Sequence, residues 1–78
     1  MQKLKDLALG DCAKIVGFAA GAPAYRRMLL SMGLTLGTEF TVNRMAPLGD
    51  PIEIRVRGYA LSLRKAEAEA LNVCRIEP

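Results

Sequence analysis

The sequence predicts a small, mainly β barrel of about five strands with two short helices. Three observations support this fold class: several short segments alternate apolar with polar residues, one longer segment has helical periodicity, and glycine or proline separates most of them. The chain has 78 residues, 51% of them hydrophobic and 24% charged, so we expect residues 1–78 to form a single domain. An isolated small sheet would expose its edges, which favours closure into a barrel whose open ends the helices plug.

The opening of the chain predicts a short lead-in followed by a strand. Leu4 and Leu7 lie one helical turn apart before the turn residues of 10–11, which indicates a short, weakly helical segment. In "CAKIVGF", Ala13 and Ile15 fall on one face, and this alternation predicts the first strand.

The clearest helix lies in "APAYRRMLLSMGL". Pro23 suits the first helical position, and Gly33 is a suitable helix end, with Leu34 placed to make the apolar contact of a Schellman motif. Leu30 lies off the apolar stripe, so it either widens the buried face or is exposed. The predicted buried stripe consists of Tyr25, Met28, Leu29 and Met32.

Three further strands are predicted in the middle of the chain. "EFTVNRM" points Phe40 and Val42 inward, and "PIEIRVRG" is followed by "YALSL" across a tight reversal at Gly58, which predicts a hairpin. The inward residues expected for the hairpin are Ile52, Ile54, Val56, Tyr59, Leu61 and Leu63.

The last part of the chain predicts a helix and a strand. "RKAEAEAL" is expected to form a short helix with Ala66 and Ala70 on its inner side. "NVCRIE" is typical of a strand, although the pattern leaves open whether Val73 or Cys74 faces inward.

The charge pattern argues against nucleic acid as a partner. The net charge is +3, but the eleven basic residues are scattered among eight acidic ones, and only two Tyr, two Phe and no Trp are available for stacking. No signal peptide and no apolar run long enough for a membrane span are present, so we expect a cytoplasmic protein without membrane insertion.

The sequence lacks the residues of a catalytic or metal centre. It contains no histidine, no paired carboxylates and no phosphate-binding glycine loop, so we predict that the chain is not an enzyme and has no cofactor. Cys12 and Cys74 cannot supply the four ligands of a structural zinc site, and two free thiols are favoured over a disulfide.

The segment "APLGDPI" remains as a candidate for function. Pro47 and Pro51 restrict the backbone on either side of Leu48, Gly49 is suited to positive φ, and Asp50 can accept a hydrogen bond from a nearby backbone N–H in an Asx turn. Leu48 either folds back to cap the barrel or is held outward as a docking anchor by a stiff loop. Pattern alone does not decide between these two arrangements.

The order of several motifs resembles the FeoA family of bacterial ferrous iron uptake proteins along nearly the whole chain. The motifs are "LKDLALGD", "YRRMLLSMGLTLG", "APLGDPI" and "LSLRKAEAEAL". Leu36 stands where the family often has proline. The resemblance implies an SH3-like barrel and an accessory role on FeoB, the membrane transporter with a cytoplasmic GTP-binding domain. On this basis we expect a docking surface for FeoB formed by Leu48, Gly49, Asp50, Leu29 and Leu30.

Two alternatives stay open at this point. The chain could be a regulatory module like the SH3-like domain of iron-dependent repressors, although no helix-turn-helix or basic stripe is present. It could also be an adaptor for proline-rich peptides, although its aromatic residues are few and dispersed.

Overall fold

The computed structural model describes residues 2–20 and 23–77. Within these residues the chain forms five strands, two α-helices and one 3₁₀ helix, as the sequence predicts. In chain order they are the 3₁₀ helix Leu4–Asp6, β1 Cys12–Phe18, α1 Pro23–Ser31, β2 Glu39–Met45, β3 Ile52–Val56, β4 Tyr59–Leu63, α2 Lys65–Glu69 and β5 Leu71–Ile76. Neither of these α-helices is long and apolar enough to cross a membrane.

The strands form one antiparallel sheet in the order β4-β3-β2-β1-β5. The register shifts once between Ile15 and Gly17, where β1 pairs with β5, and once between Val42 and Arg44, where β2 pairs with β3. Each shift places an extra residue in one strand, and such bulges bend the strand and increase its twist. The sheet therefore curves around its apolar face.

The N-terminal segment covers the outer edge of β5. Gln2 and Val73 exchange two backbone hydrogen bonds of 3.0 and 2.8 Å, and the 3₁₀ helix packs against both α2 and β5. Lys3 strengthens this contact, since its Nζ donates to the carbonyl of Glu69 at 2.9 Å and to Oδ1 of Asn72 at 2.6 Å. Lys3 thus lies beside the end of α2.

The core lies on the concave face of the sheet and confirms most of the predicted alternation. Val73 is fully buried and Cys74 is exposed, which settles the orientation that the pattern left open. The buried apolar side chains are Leu4, Leu7, Ala13, Ile15, Leu29, Leu34, Phe40, Val42, Ile52, Ile54, Val56, Leu63, Ala68, Ala70, Leu71 and Val73.

Three of the predicted inward positions are wrong. Tyr25 is exposed because only the C-terminal turn of α1 packs on the core, through Leu29 and the partly buried Met32. Tyr59 is exposed at the start of β4, next to the hairpin turn. Ala66 is also exposed, whereas Ala68 is buried, because the short α2 turns a different face to the sheet.

The end of α1 has the predicted Schellman geometry. Leu34 N donates to the carbonyl of Leu29 at 3.0 Å, Gly33 N donates to that of Leu30 at 3.0 Å, and Gly33 has φ +89°. The Oη of Tyr59 donates to the carbonyl of Met32 at 3.0 Å, which ties the helix end to β4. This junction connects the end of α1 to the edge strand β4 of the sheet.

Replacing Gly33 with alanine is expected to lower the free energy of unfolding by about 2 kcal/mol, because a Cβ costs about 1 kcal/mol or more at positive φ and would also displace Tyr59. That Cβ would lie 2.8 Å from Tyr59 Oη. Gly37→Ala is the matched control, since Gly37 has φ +87° and no neighbour within 4 Å of the new Cβ.

Thermal unfolding of these variants, with and without Tyr59→Phe, separates the strain of a Cβ at positive φ from the clash of that Cβ with the hydroxyl of Tyr59. We expect Gly33→Ala to cost more than Gly37→Ala in the wild-type background and about the same in the Tyr59→Phe background. If Gly33→Ala lowers the stability by the same amount in the wild-type and in the Tyr59→Phe background, the hydroxyl of Tyr59 does not oppose a larger residue at position 33.

Candidate functional site

The segment between β2 and β3 forms a tight turn at its tip. Gly49 N donates to the carbonyl of Ala46 at 2.7 Å, and Ala46 N donates to the carbonyl of Pro51 at 3.2 Å, which closes the base of the loop. Pro47 occupies the second position of this turn and Gly49, with φ +74°, the fourth, as a type I turn favours. We call residues 47–51 the PLGDP loop.

The PLGDP loop holds Leu48 away from the core. Its side chain is 94% exposed, more than any other exposed large hydrophobic residue of the described chain. Leu48 therefore does not cap the barrel, and of the two arrangements that the pattern left open the outward one is found. An exposed leucine on a restrained backbone loses little conformational freedom when it binds, which is the property of a docking anchor.

Asp50 joins the PLGDP loop to α2 instead of forming the predicted Asx turn. Its Oδ1 accepts a hydrogen bond of 3.2 Å from the backbone N–H of Lys65, the first residue of α2. The first N–H groups of a helix have no partner within the helix, so a distant carboxylate can satisfy one of them. This contact connects residues fifteen positions apart, which local turn chemistry does not predict.

Asp50→Ala is expected to lower the free energy of unfolding by about 1 kcal/mol, because it removes the side-chain acceptor for a helix N–H. Asp50→Asn is the control, since its side-chain oxygen can still accept from Lys65 N. Chemical denaturation measures both. An alanine variant as stable as the wild type would mean that this hydrogen bond does not hold the loop to the helix.

A groove of about 190 Å³ lies between the PLGDP loop, the 3₁₀ helix and α2. We call it the Leu48 groove. Leu48, Ile52 and Ala68 provide its apolar surface, and the last two are buried. The remaining lining residues are Lys3, Lys5, Gly49, Lys65 and Glu69. The volume is below the 300–1,000 Å³ typical of small-molecule sites, so it suits a side chain better than a free ligand.

Positive charge predominates around the Leu48 groove. Lys3 is held by two neutral acceptors, the carbonyl of Glu69 and the amide of Asn72, so these contacts leave its charge uncompensated. Lys5 Nζ lies 3.9 Å from Glu69 Oε2, and both side chains are substantially exposed, so this ion pair is weak. The ammonium of Lys65 has no ion pair or hydrogen bond with the residues that the structure describes.

The structure separates the residues that we expected to form one docking surface. Leu48, Gly49 and Asp50 lie together in the PLGDP loop, whereas Leu30 is partly exposed on α1 and lines a different depression with Pro23, Arg26 and Arg27. Leu29 is fully buried, because it packs into the core at the Schellman end of α1. Leu29 is therefore removed from the candidate surface.

Comparison with known proteins identifies the family. The protein-family model of the FeoA domain matches residues 2–75 of this chain. The chain belongs to the FeoA family. A Fe(2+) transport protein A/Fe(2+) transporter FeoB fusion protein from Porphyromonas gingivalis is 38% identical over 71 residues, a match that covers 91% of this chain and 8% of the fusion protein.

Solved FeoA structures have the same fold as this FeoA-family chain. FeoA from Chlorobium tepidum is 43% identical with a TM-score of 0.84, over 97% of this chain and 71% of that protein. FeoA from Stenotrophomonas maltophilia, solved in complex with zinc and described as a prokaryotic SH3 domain protein, is 26% identical with a TM-score of 0.73, over 95% of this chain and 91% of that protein. The SH3-like fold is thereby confirmed.

The fold also extends to a metal-dependent repressor. A manganese-dependent transcriptional repressor has a TM-score of 0.87 over 96% of this chain and 36% of the repressor, at 20% identity. This likeness establishes the shared fold and nothing about regulation.

The matched FeoA family is one of small accessory domains and is not a known enzyme family.

The cysteines of this FeoA-family chain lie on neighbouring strands. β1 pairs with β5, so that Cys12 lies opposite Ile76 and Cys74 lies opposite Lys14. Both thiols are free and exposed, and the pair Ala13–Arg75 lies between them in the register of β1 and β5. Among residues 2–20 and 23–77, no group of three His, Cys, Asp or Glu side chains is close enough to hold a metal ion.

Sequence reasoning missed the lysines of the Leu48 groove. Lys3 and Lys5 come from the start of the chain and Lys65 from near its end, and only the packing of the 3₁₀ helix on α2 brings them to the PLGDP loop. No local pattern contains this arrangement. The proline and glycine spacing of the loop was the one signal that pointed to the region.

Proposed function

We propose that this domain acts in ferrous iron uptake by direct contact with a FeoB-type transporter on its cytoplasmic side. The observation that carries the proposal is the Porphyromonas gingivalis relative, in which a segment similar to this chain and a Fe(2+) transporter are parts of one polypeptide. Proteins whose segments are fused in one organism commonly act together when they are separate chains. This chain matches only 8% of that protein, so the transport activity belongs to the partner.

The surface of the domain supports action by contact. The PLGDP loop holds an apolar anchor in solvent on a hydrogen-bonded turn, next to a groove of side-chain size. We assign the docking role to Leu48, Gly49 and Asp50, with Leu30 as a separate, secondary contact. The domain turns over no substrate in this proposal, and it modulates the transporter by binding it.

The two alternative functions have less support. The likeness to the manganese-dependent repressor is at the level of fold alone. An adaptor for proline-rich peptides needs an aromatic groove. Phe40 is buried in the core, Phe18 is partly buried with Arg26 over its ring, and Tyr25 and Tyr59 are exposed on different elements, α1 and β4. Neither alternative accounts for the similarity to a fusion with an iron transporter.

Uptake of radioactive ferrous iron by the bacterium that encodes this chain tests the proposed function. Deleting the coding sequence is expected to reduce the initial uptake rate severalfold, and supplying the wild-type chain from a plasmid is expected to restore it. An uptake rate that is unchanged by the deletion, while the FeoB-type transporter is present, would contradict the proposal.

A further inference from the structure

The lining of the Leu48 groove specifies the chemistry of the segment that it can receive. Its apolar part consists of Leu48 at the rim with Ile52 and Ala68 below, which are 1% and 4% exposed. Leu48 supplies the exposed apolar area, while Ile52 and Ala68 form a closed floor, and an apolar side chain is the group that gains most from covering Leu48. The volume of about 190 Å³ limits the insertion to the scale of single side chains.

Charge complementarity specifies the groups that flank that apolar side chain. Three lysines line the groove against one lining acidic residue, Glu69, and the carboxylate of Asp50 lies beside it at the start of α2, so positive charge still predominates. The charge of Lys3 is held in place by its two neutral acceptors. Lys5 and Lys65 are exposed and can turn toward a bound segment. Carboxylates are the complementary groups, and such rim charges act mainly on the association rate and on partner selection.

We propose that the Leu48 groove binds a protein segment of the transporter in which one apolar residue is flanked by acidic residues. The apolar side chain lies against Leu48, Ile52 and Ala68, and the acidic side chains lie opposite Lys5 and Lys65. This inference rests on the proposed function, because the segment belongs to the FeoB-type partner. It adds the chemical identity of the recognised segment and the lysines that select it.

An anionic membrane surface is the competing occupant, because it also combines acyl chains with negative charge. The carboxylate of Glu69 within the groove disfavours it, since a lipid phosphate would meet repulsion there. A protein segment can place an uncharged residue next to Glu69, whereas a uniform anionic surface cannot. The protein segment is therefore the better match.

Matched charge variants test the proposal by binding to the purified full-length FeoB-type transporter of the same organism in detergent, at low and at high salt. The test variant is Lys5→Gln/Lys65→Gln. The control is Lys14→Gln/Arg55→Gln, which also removes two positive charges, but from exposed positions on the outer sheet face. Thermal unfolding of all variants verifies that they remain folded.

We expect the groove variant to raise the dissociation constant about fivefold at low salt, with a smaller difference at high salt, because two exposed ion pairs are lost. The control variant should stay within about twofold of the wild type, since its charges do not face the segment. Equal weakening by both variants would overturn the proposal and leave the proposed function standing. Absence of any wild-type binding would overturn both.

A second measurement separates the two occupants. Sedimentation of the chain with phosphatidylcholine/phosphatidylglycerol vesicles that contain no transporter should leave it in the supernatant. Binding to these vesicles that depends on Lys5 and Lys65 would overturn the assignment to a protein segment in favour of the membrane surface.

Discussion

Replacing Leu29 with alanine is expected to lower the free energy of unfolding by about 2–5 kcal/mol, the usual cost of truncating a buried leucine. Leu29 is fully buried and accepts the hydrogen bond from Leu34 that closes the Schellman motif. A domain of this size has a total stability of roughly 4–12 kcal/mol, so the variant would lose a large part of it. The midpoint of thermal unfolding should fall by roughly 8–40 °C, at about 4–8 °C per kcal/mol for a domain of this size.

Leu30→Ala is the matched control for that prediction. Leu30 is the next residue of the same helix and is 39% exposed, so its truncation should cost less than about 1 kcal/mol. Calorimetry of the two variants separates a core leucine from a surface leucine within one helical turn. Similar losses of stability for both variants would show that α1 is rotated about its axis, so that Leu30 is as buried as Leu29.

Leu48→Asp is expected to weaken binding to the FeoB-type transporter by about 30-fold or more, the effect of removing a central apolar anchor and placing a charge at the contact. Its stability should change by less than about 0.5 kcal/mol, because the side chain is 94% exposed in the free domain. Titration of the immobilised transporter with each variant measures the dissociation constant, and thermal unfolding measures the stability.

The control for the anchor is Leu36→Asp. Leu36 is also an exposed leucine, at 63%, but it lines a separate depression with Val16, Phe18 and Arg26. We expect this variant to bind the transporter like the wild type. If Leu36→Asp weakens binding as much as Leu48→Asp does, general surface hydrophobicity, and not the PLGDP loop, drives the interaction.

Local pattern predicted most of the fold, because the relevant interactions are close in sequence. The β3–β4 hairpin follows from strict alternation and from a two-residue turn in which Arg57 has φ +41° and Gly58 φ +92°. The end of α1 follows from Gly33 and Leu34. Each of these features is determined within a few residues.

Local sequence pattern did not predict which face of each helix is buried. Ala66 fits an inner stripe as well as Ala68 does, and the choice between them depends on how α2 packs against β5 and the 3₁₀ helix. Tyr25 fits the stripe of α1, yet α1 reaches the core only at its last turn. The face that a short helix buries depends on the elements that pack against it. The periodicity of its own sequence carries no information about those elements.

The candidate site was predictable only in part, for the same reason. The prolines and Gly49 indicated a stiff loop around Leu48, and they do shape a closed turn. The direction of Leu48, the contact between Asp50 and Lys65, and the surrounding lysines all depend on tertiary packing. Sequence therefore pointed to the loop, and the structure supplied the groove.

The central claim is that this domain works by binding a FeoB-type transporter, and direct association tests it most directly. The measurement is co-purification of the tagged wild-type chain with the full-length transporter and with its isolated GTP-binding part, each with and without guanine nucleotide. We expect saturable association with the full-length transporter that the Leu48→Asp variant loses. No association in any nucleotide state would contradict the account.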